Sequence, residues 1–320
     1  GVGMLLGLIF FALRAKATLG DIGTEVTRDP NPVVQKSKEN KAKATILAAV
    51  ALIAGVFVLA ASGLITLDAQ QIGKSMTYIL VGLTVLFFAY VLILGGLNSD
   101  EKKRMLVIAV LFVFAAIFWS AFEQAPTSLN LFAKDFTNRE MFGYTIPATW
   151  FQSVNSAFII ICAPLFAALW TMLGSKGKDL SSPGKFSLGL GLTAIGFVIM
   201  IFAAEIIVGG GGAIKVSAWW LIGSYFFQTV GELCISPVGL SSMTKLSPKR
   251  YVGQVMGIWF LASAVGNLIG GLVGGHVDPE KLDQMPTLFS TTTASLAIAA
   301  LVLALLAVPI RKMMSGSEAK

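Results

Sequence analysis

Eight apolar runs, each long enough or nearly long enough to cross a bilayer, constrain this chain more than any other feature. They are Ala44–Leu67, Met76–Leu97, Met105–Glu123, Trp150–Leu173, Phe186–Ile207, Val216–Leu240, Val252–Gly275 and Leu288–Ile310. A helix needs about 20 predominantly apolar residues to span the hydrocarbon core. Composition agrees: 13% of residues are charged and 55% hydrophobic, against about 25% charged in an ordinary soluble domain. The mean hydropathy is +0.78. The predicted fold class is therefore all-α and polytopic, with lipid as the solvent.

A ninth run, Gly1–Leu13, is shorter, and its basic neighbours Arg14 and Lys16 follow it. A signal peptide carries its charge in front and a cleavage site behind. Residues 1–13 thus read as the end of a truncated transmembrane helix, and the chain as a fragment. If Arg14 and Lys16 are cytoplasmic and each later run crosses once, nineteen basic residues fall on the cytoplasmic side and five outside. That asymmetry is the positive-inside pattern. It predicts a cytoplasmic carboxy terminus. It also accounts for a net charge of +7 without nucleic acid, since basic loops meet anionic lipid favourably. Cys162 and Cys234 lie in apolar runs, so a disulfide framework or zinc cluster is not expected. His276 falls in a predicted external loop, where it reads as an ordinary loop residue.

The expected organisation is a cytoplasmic linker at 14–43, a two-helix hairpin at 44–97, a six-helix bundle at 105–312 and a cytoplasmic tail at 313–320. The hairpin runs carry almost no internal polar residues and read as lipid-facing scaffold. Loops in the bundle are short apart from Lys134–Pro147. Pro126, Pro164 and Pro237 lie inside apolar runs, where they predict bends. Gly266, Gly270 and Gly274 share one helical face suited to close packing.

Chemistry in such a chain rests on polar groups at membrane depth, because an ionisable residue there is costly. Glu205 lies near a span end and reads as interfacial. Glu232 is mid-span, with Gln228 and Ser236 four residues away on either side, so all three share a face. A carboxylate there could hold an ammonium group; the alternative is a bond to a neighbouring helix. Glu123 forms a second stripe with Trp119 and Thr127, beside Ser120, Gln124 and Ser128. Gln152 and Asn155 make a third, and an Asn amide both donates and accepts. Trp259 and Ser263 add a fourth pair, with Trp119 and Trp259 as candidate pocket walls. No catalytic triad, zinc spacing or phosphate loop occurs, so an enzyme is not expected, and no cofactor beyond a proton gradient.

Phe118-Trp119-x-x-x-Glu123-Gln124, Trp150-Phe151-Gln152-Ser153-x-Asn155, Gly231-Glu232-x-x-Ile235-Ser236-Pro237-Val238-Gly239-Leu240-Ser241 and Trp259-Phe260-Leu261 resemble, in order and spacing, the proton-dependent oligopeptide transporters of the major facilitator superfamily. The Glu-x-x-Ile-Ser-Pro-x-Gly-Leu-Ser stretch is the specific part. The resemblance covers nearly the whole chain and implies the second six-helix bundle of that fold. It implies that 44–97 is the pair of helices inserted in prokaryotic members, and that the protein sits in a bacterial cytoplasmic membrane. It implies that Glu232 binds a peptide's amino terminus and Asn155 its backbone, and that Trp119, Trp259, Ser236 and Ser263 line the pocket. Glu123, with Gln124 beside it, is implied in gating and proton coupling through a basic residue of the absent amino-terminal half. Phe122 stands where relatives often carry an acid, which bears on that coupling.

The expected activity is proton-coupled uptake of di- and tripeptides by alternating access, the chain being about half of the transporter and inactive alone. Its expected partners are peptides, protons, the bilayer and the missing half. The alternatives are a major facilitator carrier for another amine-bearing solute or drug, separable by dipeptide against cationic-dye uptake, and a non-transporting membrane scaffold.

Overall fold

A computed structural model of the chain describes residues 2–20, 31–63, 68–141, 143–274 and 284–314. It divides into two units, Gly1–Asp68 and Ala69–Lys320. His276 and the tail at 315–320 lie outside the described residues.

The first unit holds α1 (Val2–Leu19) and α2 (Pro32–Ala61). The expected linker at 14–43 is therefore helical at both ends. The reason is local. Asn31 caps α2 by accepting from Val33 N at 3.0 Å, Pro32 occupies the first turn where it is tolerated, and the Lys, Glu and Ala that follow are good helix formers. Polarity marked the stretch as linker, but polarity and helicity are independent properties.

The second unit holds α3 (Ala69–Ile93), α4 (Ser99–Phe122), α5 (Ser128–Asp135), α6 (Gln152–Ser175), α7 (Ser182–Gly209), α8 (Trp219–Leu246), α9 (Val252–Gly274) and α10 (Gln284–Met314). Asn98 and Glu101 start α4 with a reciprocal capping box, which satisfies orphan amide donors at the helix end. Helix α7 packs between α8 and α10. Helix α4 packs against α9 and α10, α6 lies on α8, and α3 on α9. The expected Lys134–Pro147 loop contains short strands. In it β1 (Thr137–Asn138) pairs with β4 (Val216–Ser217), while β2 (Glu140–Met141) pairs with β3 (Tyr144–Thr145).

Two expectations change. Helix α4 stops at Phe122, with Glu123 as its C-cap, so Pro126 lies in a turn and bends no helix. Pro164 and Pro237 are inside α6 and α8, and Pro309 is inside α10. Helix α3 does not face lipid all round: Thr84, Phe88 and Val91 are buried, and Arg250 Nη2 donates to the Gly96 carbonyl at 2.6 Å just beyond its end.

Close approach of backbones fixes the register of the bundle. A Cβ on Gly231 would meet the Gly189 carbonyl oxygen at 2.6 Å, and one on Gly270 would meet that of Ser120 at the same distance. Contacts this tight leave room only for hydrogen. They seat α8 on α7 and α9 on α4.

Among the described residues, seven helices are long and apolar enough to cross a membrane. Helix α8 is not one of them, although it is 28 residues long. Its apolar character is diluted by Gln228, Thr229, Glu232 and Ser236, and the last three belong to the candidate site.

Candidate functional site

The site is built on α8. Seated on α7 through Gly231, the helix turns Glu232 towards α6. Asn155, in the first turn of α6, donates from Nδ2 to Glu232 Oε2 at 3.3 Å and to Thr229 Oγ1 at 2.9 Å. Thr229 is fully buried, and its own proton goes to the Tyr225 carbonyl at 2.7 Å. Thr229 can then only accept from Asn155, and an ionised carboxylate accepts only. Both hydrogens of the Asn155 amide are committed, and its Oδ1 is the atom left to accept. Glu232 is half-buried and takes one hydrogen bond from the described protein. A carboxylate has room for about four, so most of its accepting capacity is unused.

A second carboxylate, Glu123, stands at the end of α4. With its amide oriented to suit both neighbours, Asn267 of α9 donates to the Ser263 carbonyl at 2.8 Å and to Glu123 Oε1 at 3.3 Å. Helix α4, at whose end Glu123 stands, also packs against α8, the helix of Glu232. The acids of two helices thus serve one region, each held by an amide from a third and fourth.

The aromatic candidates form walls. Trp259 is buried, its ring lies against Gly239 of α8 where no Cβ could fit, and Phe186 meets it edge-on at 6.2 Å. Trp119 is wedged against Gly266 of α9 and meets Phe118 and Phe122 edge-on at 5.3 and 5.4 Å. Its Nε1 and the hydroxyl of Ser236 are buried with no partner among the described residues, so both are donors awaiting an acceptor. Ser263 is half-buried and contributes its carbonyl to the Asn267 contact.

Gln124 is the departure. It is 2% exposed, its Nε2 donates to Thr292 Oγ1 of α10 at 3.1 Å, and Ser128 Oγ donates to its Oε1 at 3.2 Å. It is turned into the α4–α10 contact, away from the Glu123–Asn267 contact with α9. The predicted Glu123–Thr127 stripe also dissolves, because the helix has already ended and Thr127 bonds the Gln124 carbonyl at 3.3 Å. Gln228 is likewise buried, donating to Ser224 Oγ at 2.9 Å.

Sequence reasoning missed Thr229, Asn267 and Gly239. Thr229 lies three residues before Glu232 and could have been found by the same helical-face test. Asn267 lies four residues after Ser263. Gly239 needed the packing partner, which no spacing reveals.

Two acids and two amides thus stand on helices of a membrane bundle, where ionisable groups are costly unless something accompanies them. The chain belongs to the POT family, whose PTR2 profile matches residues 1–288, a family of transporters and not of enzymes. It is 41% identical to "Peptide transporter YePEPT" of Yersinia enterocolitica over 318 residues, covering 99% of this chain and 62% of that protein. It is 31% identical to "Dipeptide and tripeptide permease B" of Aeromonas hydrophila, covering 99% and 62%. The solved structure of a peptide transporter POT in complex with sulfate superposes with a TM-score of 0.82 at 30% identity, covering 98% of this chain and 61% of that one. The chain therefore spans about three-fifths of the length of these relatives.

Proposed function

We propose that the transporter to which this chain belongs carries di- and tripeptides inward with protons, and that residues 105–312 form its carboxy-terminal bundle. In this reading residues 44–97 are the inserted hairpin, the carboxy terminus is cytoplasmic and the membrane is the bacterial inner membrane. One observation carries the substrate assignment: Glu232, half-buried and mid-helix, has one protein hydrogen bond and most of its accepting capacity unused. An unpaired carboxylate in a low-dielectric site calls for a cation, and a peptide supplies one in its ammonium group. The free Oδ1 of Asn155 lies beside it as a second acceptor for ammonium or peptide N–H. Trp119, Trp259, Ser236 and Ser263 complete this wall of the pocket, with donors on Trp119 and Ser236 for carbonyl or carboxylate oxygens. The names of the relatives point to the same substrate class.

Glu123 is proposed as the coupling acid. Its one described partner is an amide, which neutralises no charge, so a basic group or a proton must accompany it in lipid. Alternation between the two would tie gate position to protonation, and a ligand or proton shifts such an equilibrium only through its different affinity for the two states. Gln124 is not part of this reading, because its bonds are spent within the bundle.

The test uses the full-length protein in liposomes. Dipeptide should accumulate under an inward proton gradient. Glu123→Gln should abolish accumulation while leaving exchange between equal peptide pools partly intact. Uptake of a cationic dye in place of dipeptide would overturn the substrate assignment, and accumulation by Glu123→Gln at the wild-type rate would remove Glu123 from coupling.

A further inference from the structure

At the end of the bundle where α6 stops, α7 begins, and α8 and α10 stop, a cavity of about 390 Å³ opens. Along α8 its lining begins at Pro237, five residues after Glu232, and runs on to Leu246, and Glu232 is not part of it. Its unpartnered polar groups are donors. Ser242 lines it, is 4% exposed, and makes no hydrogen bond with another described residue. The indole Nε1 of Trp170, which also lines it, is buried without an acceptor among the described residues. Ser181 stands at the N-cap of α7 in an extended conformation, yet its side chain makes no capping bond, so the first turn of α7 gains no acceptor from it.

Charge follows the same sense. Among the described residues, Lys185 and Lys245 line the cavity with a single acid, Asp179. Asp179 is already bound to Lys185 at 2.8 Å, and the ammonium lies 4.5 Å from the centre of the Trp170 ring. The acid is neutralised, and Lys245 has no ion-pair partner among the described residues. Buried donors without acceptors are unfavourable, and a helix amino terminus favours negative charge. The missing complement is an oxyanion.

We propose that this cavity binds a phosphate oxyanion, with Lys245 as the countercharge, Ser242 and Trp170 as donors, and the first turn of α7 completing the cradle. A phosphodiester of an anionic lipid headgroup and free inorganic phosphate share this chemistry, and the arms of the experiment separate them.

The purified full-length protein is delipidated and titrated with phosphatidylglycerol, with phosphatidylcholine and with inorganic phosphate, bound molecules being counted by native mass spectrometry. Phosphatidylglycerol should be retained in preference to phosphatidylcholine, and Lys245→Gln should weaken its binding about tenfold, the scale of one lost charge-assisted bond. Ser242→Ala should weaken it by a smaller factor, and Asp179→Asn, which frees Lys185, should strengthen it. None of the three touches the Glu232 site, so dipeptide binding measured on the same samples serves as the control for folding. Binding of inorganic phosphate alone, with the same response to the variants, would assign the site to a soluble anion. If neither anion binds, or if Lys245→Gln and Ser242→Ala bind both as the wild type does, the proposal is wrong.

Discussion

Two buried polar clusters lie in the same bundle and differ in one respect. Around Gln124 each bond has its complement: the amide nitrogen meets Thr292, and the oxygen meets Ser128. Around Glu232 the bonds stop short. The amide of Asn155 is fully committed on its nitrogen, while its oxygen and most of the Glu232 carboxylate have no partner among the described residues. Buried polar groups are ordinarily satisfied. A saturated cluster is thus part of what holds helices together, and an unsaturated one is a socket. Adjacent residues can belong to different kinds, as Glu123 and Gln124 do.

The largest effect should come from the socket. Glu232→Gln keeps the shape and removes the charge, leaving a bound ammonium group unpaired, at a cost of about 3–5 kcal/mol. In the full-length protein, dipeptide affinity should fall more than about a hundredfold, with little change in thermal stability. An amino-acetylated dipeptide, which lacks the charge, should lose far less. Equal losses for the two ligands, measured by calorimetry, would mean that Glu232 does not read the amino terminus.

Next comes the wall behind the socket. Gly239→Ala would place a methyl group inside the Trp259 ring, and both lie in packed helices. Overpacking of this kind costs about 1–3 kcal/mol. The unfolding temperature and dipeptide affinity should both drop, and Trp259→Phe in the same protein should restore part of each. An unchanged unfolding temperature would show that α8 and α9 are not locked at this point.

Much of this architecture is legible in the sequence, because length and hydropathy fix the spans and polar residues at spacing four mark the inward faces. Glu232, Asn155 and Glu123 were each reachable in that way as single polar positions. Two things were not. Helix ends depend on local caps, so α2 runs back through Lys36 and Lys41 to Pro32, and α4 ends before Pro126. The second is the difference between Glu123 and Gln124. They are neighbours just past the last residue of α4, and only the partners, Asn267 on α9 and Thr292 on α10, decide which one is saturated. Those partners are more than a hundred residues away, and no spacing predicts them.

The saturated cluster should answer the reverse way to the socket. Gln124→Leu removes two hydrogen bonds and leaves Ser128 without its acceptor in a buried site, a loss of about 1–3 kcal/mol. The full-length protein should unfold at lower temperature, while folded molecules bind dipeptide as the wild type does. If affinity instead falls on the scale of Glu232→Gln, the division between the two clusters fails.

The smallest effect, and the finest test of the socket, concerns Thr229. Its hydroxyl proton is spent on the Tyr225 carbonyl and its lone pair on Asn155. It touches the socket only through the amide that it orients. Thr229→Val keeps the β-branched shape. It leaves no carbonyl orphaned, since Tyr225 retains its helical bond and the side-chain bond merely shares that oxygen. Without the hydroxyl, one N–H of Asn155 has no acceptor and the amide is free to turn its oxygen away from the substrate. A hydrogen bond of this kind contributes about 0.5–1.5 kcal/mol, so dipeptide affinity should fall about three- to tenfold. Thr229→Ser, which keeps the hydroxyl, should bind close to wild type. The decisive comparison is made in an Asn155→Ala background, where there is no amide left to orient. There Thr229→Val should cost nothing further, because two residues acting through one contact are not additive. A loss of the same size in both backgrounds would show that Thr229 shapes the helix and not the orientation of Asn155, and the account of the socket would then rest on Glu232 alone.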